Sequence, residues 1–359
     1  MYPKFEINLK KLEVNTSEIV KMCRKNGIGV AGVIKGCGGI PECAKAMEKG
    51  GCDYIASSRL KQLKGAKEFG VEVPLMLIRI PMKSEADDIV RYADVSLNSE
   101  LEVIRALDKA AGEQGKTHGI VLMTELGDLR EGIWDIDEMI KTASYVENDC
   151  EHLKLEGAGT NVGCYGSILA TSEKLQELVE VAEKIESVIG RKLDVISGGA
   201  TTSLPRIMDG DMPSRINNLR IGEAIILNKD LDELYGYKIP DIYFDCFVFK
   251  AEVVEVKDKP SHPIGEITYD AFRNKPTYID RGIRKRAIVA AGKVDFGYMD
   301  QLKPRDKGIE ILGGSSDHTI LDVEDSEREI HVGDILEFDI FYGACPLLAQ
   351  CPDVEHEFI

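Results

Sequence analysis

Lys35 closes a short apolar run at 30–35 (VAGVIK) and is followed at once by Gly-Cys-Gly-Gly. A lysine carried on a strand end into a partly dry cavity has its ammonium disfavoured, so its amine can act as a nucleophile or proton acceptor. The glycines leave room for a flat ring to approach the backbone. Taken alone, the residue is accounted for more simply as a surface lysine ahead of a turn. A second candidate is the turn at 197–203 (SGGATTS). Its backbone N–H groups and the hydroxyls of Ser197, Thr201, Thr202 and Ser203 suit a phosphate, with Gly222 completing the cradle. A plain glycine-rich loop has the same composition.

The elements around these residues alternate. Short apolar runs at 30–35, 53–57, 74–79, 93–97, 119–124, 153–157, 193–197 and 216–221 predict strands. Amphipathic stretches at 16–26, 41–50, 58–69, 84–92, 99–115, 135–148 and 170–190 predict helices between them. The last carries Leu175, Leu178, Val179, Ala182 and Ile185 on one face. Eight strands alternating with helices predict an α/β fold, an N-terminal (β/α)8 TIM barrel, with functional groups just after the strands. Beyond about residue 228 the runs become β-branched and aromatic (242–256, 285–291, 308–312, 317–323, 334–341), separated by Gly, Pro and Asp turns. The expected organisation is a barrel over 1–228 and a C-terminal all-β domain over 229–359.

Bulk composition excludes several partners. A net charge of −17 disfavours nucleic acid and anionic membrane surfaces. Nine cysteines, an odd number without CxxC or zinc-finger spacing, read as reduced thiols. The N-terminal stretch is charged throughout and has no apolar run like that of a secretory signal, and no segment reaches membrane-spanning length. A cytoplasmic enzyme without a metal site is expected.

Ordered motifs give the sharper reading. VAGVIKGCGG resembles the VxKANAYGHG signature of the alanine racemase family, the fold-type III pyridoxal phosphate enzymes. MTELGDLREGI (123–133) resembles KxDTGMxRxGI, GAGTNVG (157–163) the segment of the ring-stacking histidine, and LRIGEAI (219–225) the VRPGI segment. FGYMDQLKPR (296–305) is similar to GYADGxxR, GGSSDHTILDV (313–323) to GxVCMDQTMVDV, and HVGDILEF (331–338) to the VGD turn. The resemblance implies pyridoxal 5'-phosphate carried on Lys35, with Arg130 near the cofactor and Asn161 against its ring. It places the phosphate on the turn containing Ser197, Thr201, Thr202 and Ser203 and on Gly222. Arg220 would face the pyridine nitrogen; an arginine keeps its proton, so the ring stays a weaker electron sink and racemisation is favoured over transamination. Tyr298 would be the second proton-transfer group, opposite Lys35, because inversion needs one on each face of Cα. In the family that tyrosine comes from the other subunit, which implies a homodimer with composite sites. Arg130, Ser316 and Asp317 fall on the substrate side.

Three departures redirect the substrate. Gly39 stands where the family has a phosphate-binding tyrosine, a contact that Tyr342 would have to replace. Met123 stands where many alanine racemases have a carbamylated lysine, so Arg130 must be positioned differently. Asn161 replaces the histidine. Asn161 with its GTNVGCYG context, and the SGGATTSLP turn, look like the ornithine racemase branch. A basic amino acid is therefore the expected substrate, with Glu125, Asp300 and Asp317 as candidate receivers of its side-chain ammonium. The alternatives are an alanine, lysine or broad-specificity racemase, or a non-catalytic pyridoxal-phosphate-binding homeostasis protein; the latter lacks a β-domain. A zinc-dependent dehydratase or aldolase would need a close His/Cys pair in that domain, which the sequence does not supply.

Overall fold

The computed structural model describes residues 1–359 and divides into two compact units, Leu9–Phe244 and, together, Met1–Asn8 with Asp245–Ile359. The chain starts with strand β1 (Lys4–Ile7) and helix α1 (Leu9–Arg24). Eight strands follow: β2 (Gly29–Val33), β3 (Tyr54–Ser57), β4 (Leu75–Leu77), β5 (Val95–Asn98), β6 (His118–Met123), β7 (Leu153–Gly159), β8 (Val195–Ser197) and β9 (Asn218–Ile221). They pair in parallel in sequence order and close through β9 on β2, with Ala31 opposite Arg220. The expected (β/α)8 barrel is present, each strand within a few residues of its apolar run.

The barrel interior is apolar. Ala31, Val33, Ala56, Met76, Val95, Leu97, Val121, Met123 and Val195 form one buried cluster. Spacing of two along each strand puts these residues on the inner face. The outer face is covered by α2 (Pro41–Lys49), α3 (Leu60–Glu68), α4 (Ala86–Tyr92), α5 (Leu101–Glu113), α6 (Ile136–Asp149) and α7 (Ser172–Ile189). In α7 the five residues read as its apolar face are all buried.

Two boundaries differ from the sequence reading. Helix α1 begins at Leu9 rather than near 16, because its buried face runs through the polar pair Asn15 and Thr16. Thr16 donates to the Leu12 carbonyl, and Asn15 exchanges hydrogen bonds with the backbone of Tyr243 at 2.7 and 2.8 Å. That same exchange holds the segment before Phe244 on the barrel unit. The expected division at 228/229 therefore falls earlier than the observed one at 244/245.

The second unit is an eight-stranded sheet. Its strands are β1, β10 (Phe247–Pro260), β11 (Ile283–Val289), β12 (Leu302–Pro304), β13 (Glu310–Gly314), β14 (Thr319–Asp322), β15 (Ile335–Ile340) and β16 (Glu355–Phe358). Phe5, Phe247, Phe249, Phe296 and Phe338 are fully buried and form its aromatic core. The all-β character matches expectation, but β1 comes from the opposite end of the chain. Four residues of KFEI are too short a run to signal a strand without their partners in β10 and β16.

One ion cluster fixes the approach to β8. Glu186, buried at the end of α7, accepts from Lys192, Arg215 and the Leu193 amide at 2.7, 2.5 and 3.0 Å. Burial alone would raise its carboxyl, but these donors outweigh it and hold it at about 2. A depressed carboxylate stabilises the fold above its ordinary pKa near 4.5, and that contribution is lost as pH falls toward 2. Glu186→Gln is expected to lose about 2 kcal/mol at pH 7 and to show a flatter decline of Tm between pH 5 and 3. Parallel acid melting curves for the two proteins would refute this.

Candidate active site

The inner-face rows of the strands end in functional groups. Ala31 and Val33 lead to Lys35, Gly157 and Gly159 lead to Asn161, Val195 leads to Ser197, and Asn218 leads to Arg220. Lys35 is largely buried, and its electrostatic neighbours are Cys164, Arg130, Glu131 and Arg220. Three segments scattered through the sequence thus converge on one amine. Burial draws the Lys35 ammonium below the ordinary lysine value; Arg130 and Arg220 act in the same direction, Cys164 and Glu131 against it.

Arg220 is fully enclosed and faces no carboxylate at contact distance. It donates to Ser197 Oγ at 2.5 Å and to the Thr160 carbonyl at 2.7 Å. Ser197 in turn donates to Asn218 Oδ1 at 2.6 Å. Burial pulls the guanidinium down to about 10, so it remains protonated near neutrality. A buried cation held only by neutral acceptors leaves N–H capacity for one more acceptor in the cavity. Asn161 adds a second unmet donor, its buried Nδ2 having no partner. A planar heteroaromatic ring with a nitrogen lone pair fits both.

The turn after β8 supplies the rest. The amides of Gly199, Ala200, Thr201 and Thr202, and those of Gly222 and Glu223 after β9, donate to no protein acceptor. Two of the hydroxyls already donate, Ser203 Oγ to the Gly198 carbonyl and Thr202 Oγ1 to the Val162 carbonyl, while Thr201 Oγ1 accepts from the Ala224 amide and keeps its own proton to give. Ser197 sits behind Arg220. The donors left for a phosphate are therefore chiefly backbone amides. Gly222 must stay small, since a Cβ there would lie 3.2 Å from that of Val33. At Gly39 (φ +76°) an added side chain would collide with Gln62, which is itself tied to Ser57 at 2.5 Å.

The segment between β6 and α6 uses three acidic residues in three ways. Thr124 bridges Ile133, closing 125–132 into a loop. Glu125 accepts from the amides of Gly127, Leu129 and Arg130 inside that loop. Asp128, fully buried, accepts from the amides of Gly163, Cys164, Tyr165 and Ile168, and so ties the loop to the one after β7. Burial would raise the Asp128 carboxyl, but these amides outweigh it and keep it below the usual carboxylate range. Glu131 pairs with Arg130 through both carboxylate oxygens, and Arg130 also reaches Cys164 Sγ at 2.8 Å. Asp128, Glu131 and Cys164 were not singled out from sequence. Acids at 125, 128 and 131 between glycines are the available signal, but their separate targets lie two to five residues on for Glu125, 35 to 40 residues on for Asp128, and on the preceding residue for Glu131.

The remaining candidates lie in the second unit. Tyr298 is 74% exposed, ahead of a single helical turn at Met299–Gln301. Ser316 donates to its neighbour Asp317 at 2.6 Å, Asp300 is exposed, and Tyr342 follows β15. Glu125, with both oxygens on backbone amides, is a poor receiver for a substrate ammonium.

Comparison with known proteins agrees with this geometry. Residues 7–229 match the family model described as alanine racemase, N-terminal domain, and the chain belongs to that family. It is 42% identical to an ornithine racemase of Acetoanaerobium sticklandii over 96% of both chains. It is 38% identical to a lysine racemase of Thermotoga maritima over 99% of this chain and 98% of the relative. Among solved structures, an alanine racemase from D-cycloserine-producing Streptomyces lavendulae superposes with a TM-score of 0.74 at 16% identity, covering 100% and 98% of the two chains. A D-threonine aldolase from Filomicrobium marinum reaches 0.72 at 14%, over 96% and 88%. These structural likenesses establish a shared fold.

Asp128→Asn keeps the shape and removes the charge that four amides share. Hydrogen exchange at Gly163, Cys164, Tyr165 and Ile168 should accelerate, with about 1–3 kcal/mol lost from the fold. Unchanged exchange in that loop would show the clamp to be dispensable.

Proposed function

We propose that the chain interconverts the L- and D-forms of a basic amino acid, ornithine first, using pyridoxal 5'-phosphate held on Lys35. The observation that carries this is the buried pair at the barrel mouth: a lysine with a depressed ammonium beside an enclosed arginine lacking an acidic contact partner. When bound, the cofactor supplies the electron sink that makes a Cα proton removable. The ring nitrogen is the acceptor Arg220 lacks, and the free amides of Gly199–Thr202, Gly222 and Glu223 suit the phosphate. Arg130 and Asn161 serve the cofactor ring and the substrate carboxylate.

Lys35 Nζ moves the proton on one face of Cα, and the Tyr298 hydroxyl on the other. Tyr298, Ser316, Asp317 and Tyr342 reach the site from a second copy of the chain, which makes a homodimer the working form. The family membership and the high exposure of Tyr298 in the single chain support this. The ornithine and lysine racemases among the relatives support a side chain ending in an amine. Lysine exceeds ornithine by one methylene, a difference that distinguishes substrates by only about 10–200-fold, so some turnover of both is expected. No helix is long and apolar enough to cross a membrane, and the cysteines form no disulfide, which suits a cytoplasmic enzyme.

The purified protein loaded with pyridoxal phosphate should be yellow and lose its colour on borohydride treatment, with the label on Lys35. L-ornithine should lose optical rotation with this protein and not with Lys35→Ala. Label on another lysine, or exclusive turnover of alanine, would overturn the assignment.

The composite site has its own test. Lys35→Ala and Tyr298→Phe should each reduce kcat by about 100-fold or more. Co-expressed, they should recover roughly a quarter of wild-type activity, since half of the dimers are mixed and each mixed dimer has one intact site. Activity no higher than that of the parent variants would place Tyr298 in its own subunit's site.

A further inference from the structure

We propose that Glu131 is a positioning residue: its carboxylate clamps the guanidinium of the adjacent Arg130 and directs a negative charge at the cationic cluster of Lys35, Arg130 and Arg220. The proposal rests on the racemase reading for what the cluster does, but the clamp itself is a matter of geometry.

All three nitrogens of Arg130 are held. Nε and one terminal nitrogen take the two oxygens of Glu131, and the other terminal nitrogen takes Cys164 Sγ at 2.8 Å. A two-pronged pair of this kind fixes the plane of the guanidinium as well as its position. The side chains are 34% and 18% exposed, so the pair is partly withdrawn from solvent, and the carboxylate is the more covered partner.

Adjacent residues do not ordinarily point the same way, and the loop is bent to achieve it. Leu129 adopts φ +57° and Gly132 φ +136° on either side of the pair. A Cβ at Gly132 would lie 2.6 Å from the Glu125 amide, so the bend requires glycine. The two other acids of the loop are committed elsewhere, Glu125 to three amides within it and Asp128 to four amides of the neighbouring loop. Met123, at the end of β6, is buried and uncharged. Glu131 is thus the carboxylate left to face Lys35 and Arg220, and it appears among the electrostatic neighbours of both. Without it, three cations share the mouth of the barrel before any anionic ligand arrives.

Removing the charge therefore has two consequences. Arg130 loses the partner that orients it, and Lys35 loses one of the two neighbours, the other being Cys164, that favour its ammonium against two arginines. The test uses the full-length chain, stripped of cofactor, with trinitrobenzenesulfonate as the amine probe. The pH midpoint for labelling Lys35 is measured in wild type, Glu131→Gln and Glu131→Asp. In parallel, kcat and KM for L-ornithine are measured on the loaded enzymes.

The expected result is a midpoint lower by roughly half a pH unit or more in Glu131→Gln. Glu131→Asp, which keeps the charge but shortens the fork, should stay near the wild-type midpoint. In the loaded enzyme, Glu131→Gln should lose about 10–100-fold in kcat/KM, carried mainly by kcat, with partial recovery in Glu131→Asp. An unmoved midpoint in Glu131→Gln overturns the proposal whatever the activity. An unmoved midpoint with a raised KM for ornithine alone would instead make Glu131 the receiver of the substrate's ammonium. A shifted midpoint in a protein that racemises nothing would uphold the clamp and sink the racemase reading.

Discussion

Arg220 imposes the strictest requirement in the barrel. A guanidinium enclosed without a carboxylate in contact loses its hydration and gains only neutral hydrogen bonds, which is why burial pulls it down to about 10. It persists because its acceptors cannot drift. Ser197 ends β8 and is paired in register with Asn218, two residues before Arg220 on β9. The Thr160 carbonyl is fixed by its own side chain, whose hydroxyl donates to the Thr124 carbonyl at 3.0 Å. Strands β6, β7, β8 and β9 all contribute, so the arginine's environment is a property of the closed barrel. An open sheet would leave one side of the cation to water and remove the reason for a particular ligand.

The loops need a different device, because strand pairing stops where they begin. Here the acids serve as connectors. Asp128 gathers amides from the loop after β7, Glu125 gathers those of its own loop, and Glu186 joins the Leu193 amide to Lys192 and Arg215 at the turn into β8. Each carboxylate satisfies several donors that would otherwise need water, amides for Asp128 and Glu125, one amide and two basic side chains for Glu186, and each is buried or half-buried enough for the bonds to be strong. The large excess of acidic residues in this chain is thus partly architectural.

How much of this the sequence discloses depends on the range of the interaction. The eight barrel strands and the face of α7 follow from apolar periodicity, which is local. Lys35 and Arg220 follow from motif context. Asp128 and Glu131 look alike in sequence, two acids in one polar loop, yet one binds amides 35 to 40 residues away and the other its immediate neighbour. No local pattern separates those fates, because both depend on where the loop after β7 passes. β1 is hidden for the same reason: its partners lie 240 residues or more further along the chain. Of the amides and hydroxyls that residue type offers a phosphate at 197–203, the amides are unengaged, whereas Ser197, Thr202 and Ser203 donate to protein acceptors.

The two proposed bases are presented on unlike supports, and this bears on when the enzyme works. Lys35 stands just beyond the end of barrel strand β2, half-buried and beside two arginines, so its amine is conditioned by groups of the barrel unit. Tyr298 precedes a single helical turn in the all-β unit and is mostly exposed within one chain. A phenolic oxygen exchanges a proton more readily where nearby positive charge favours it. The cluster of Lys35, Arg130 and Arg220, with Glu131 clamped on Arg130, is such a source of positive charge. On the composite-site reading, assembly therefore does more than complete the list of residues: the cations of one copy would tune the tyrosine of the other. Proton transfer on the second face of Cα would then be confined to the assembled enzyme.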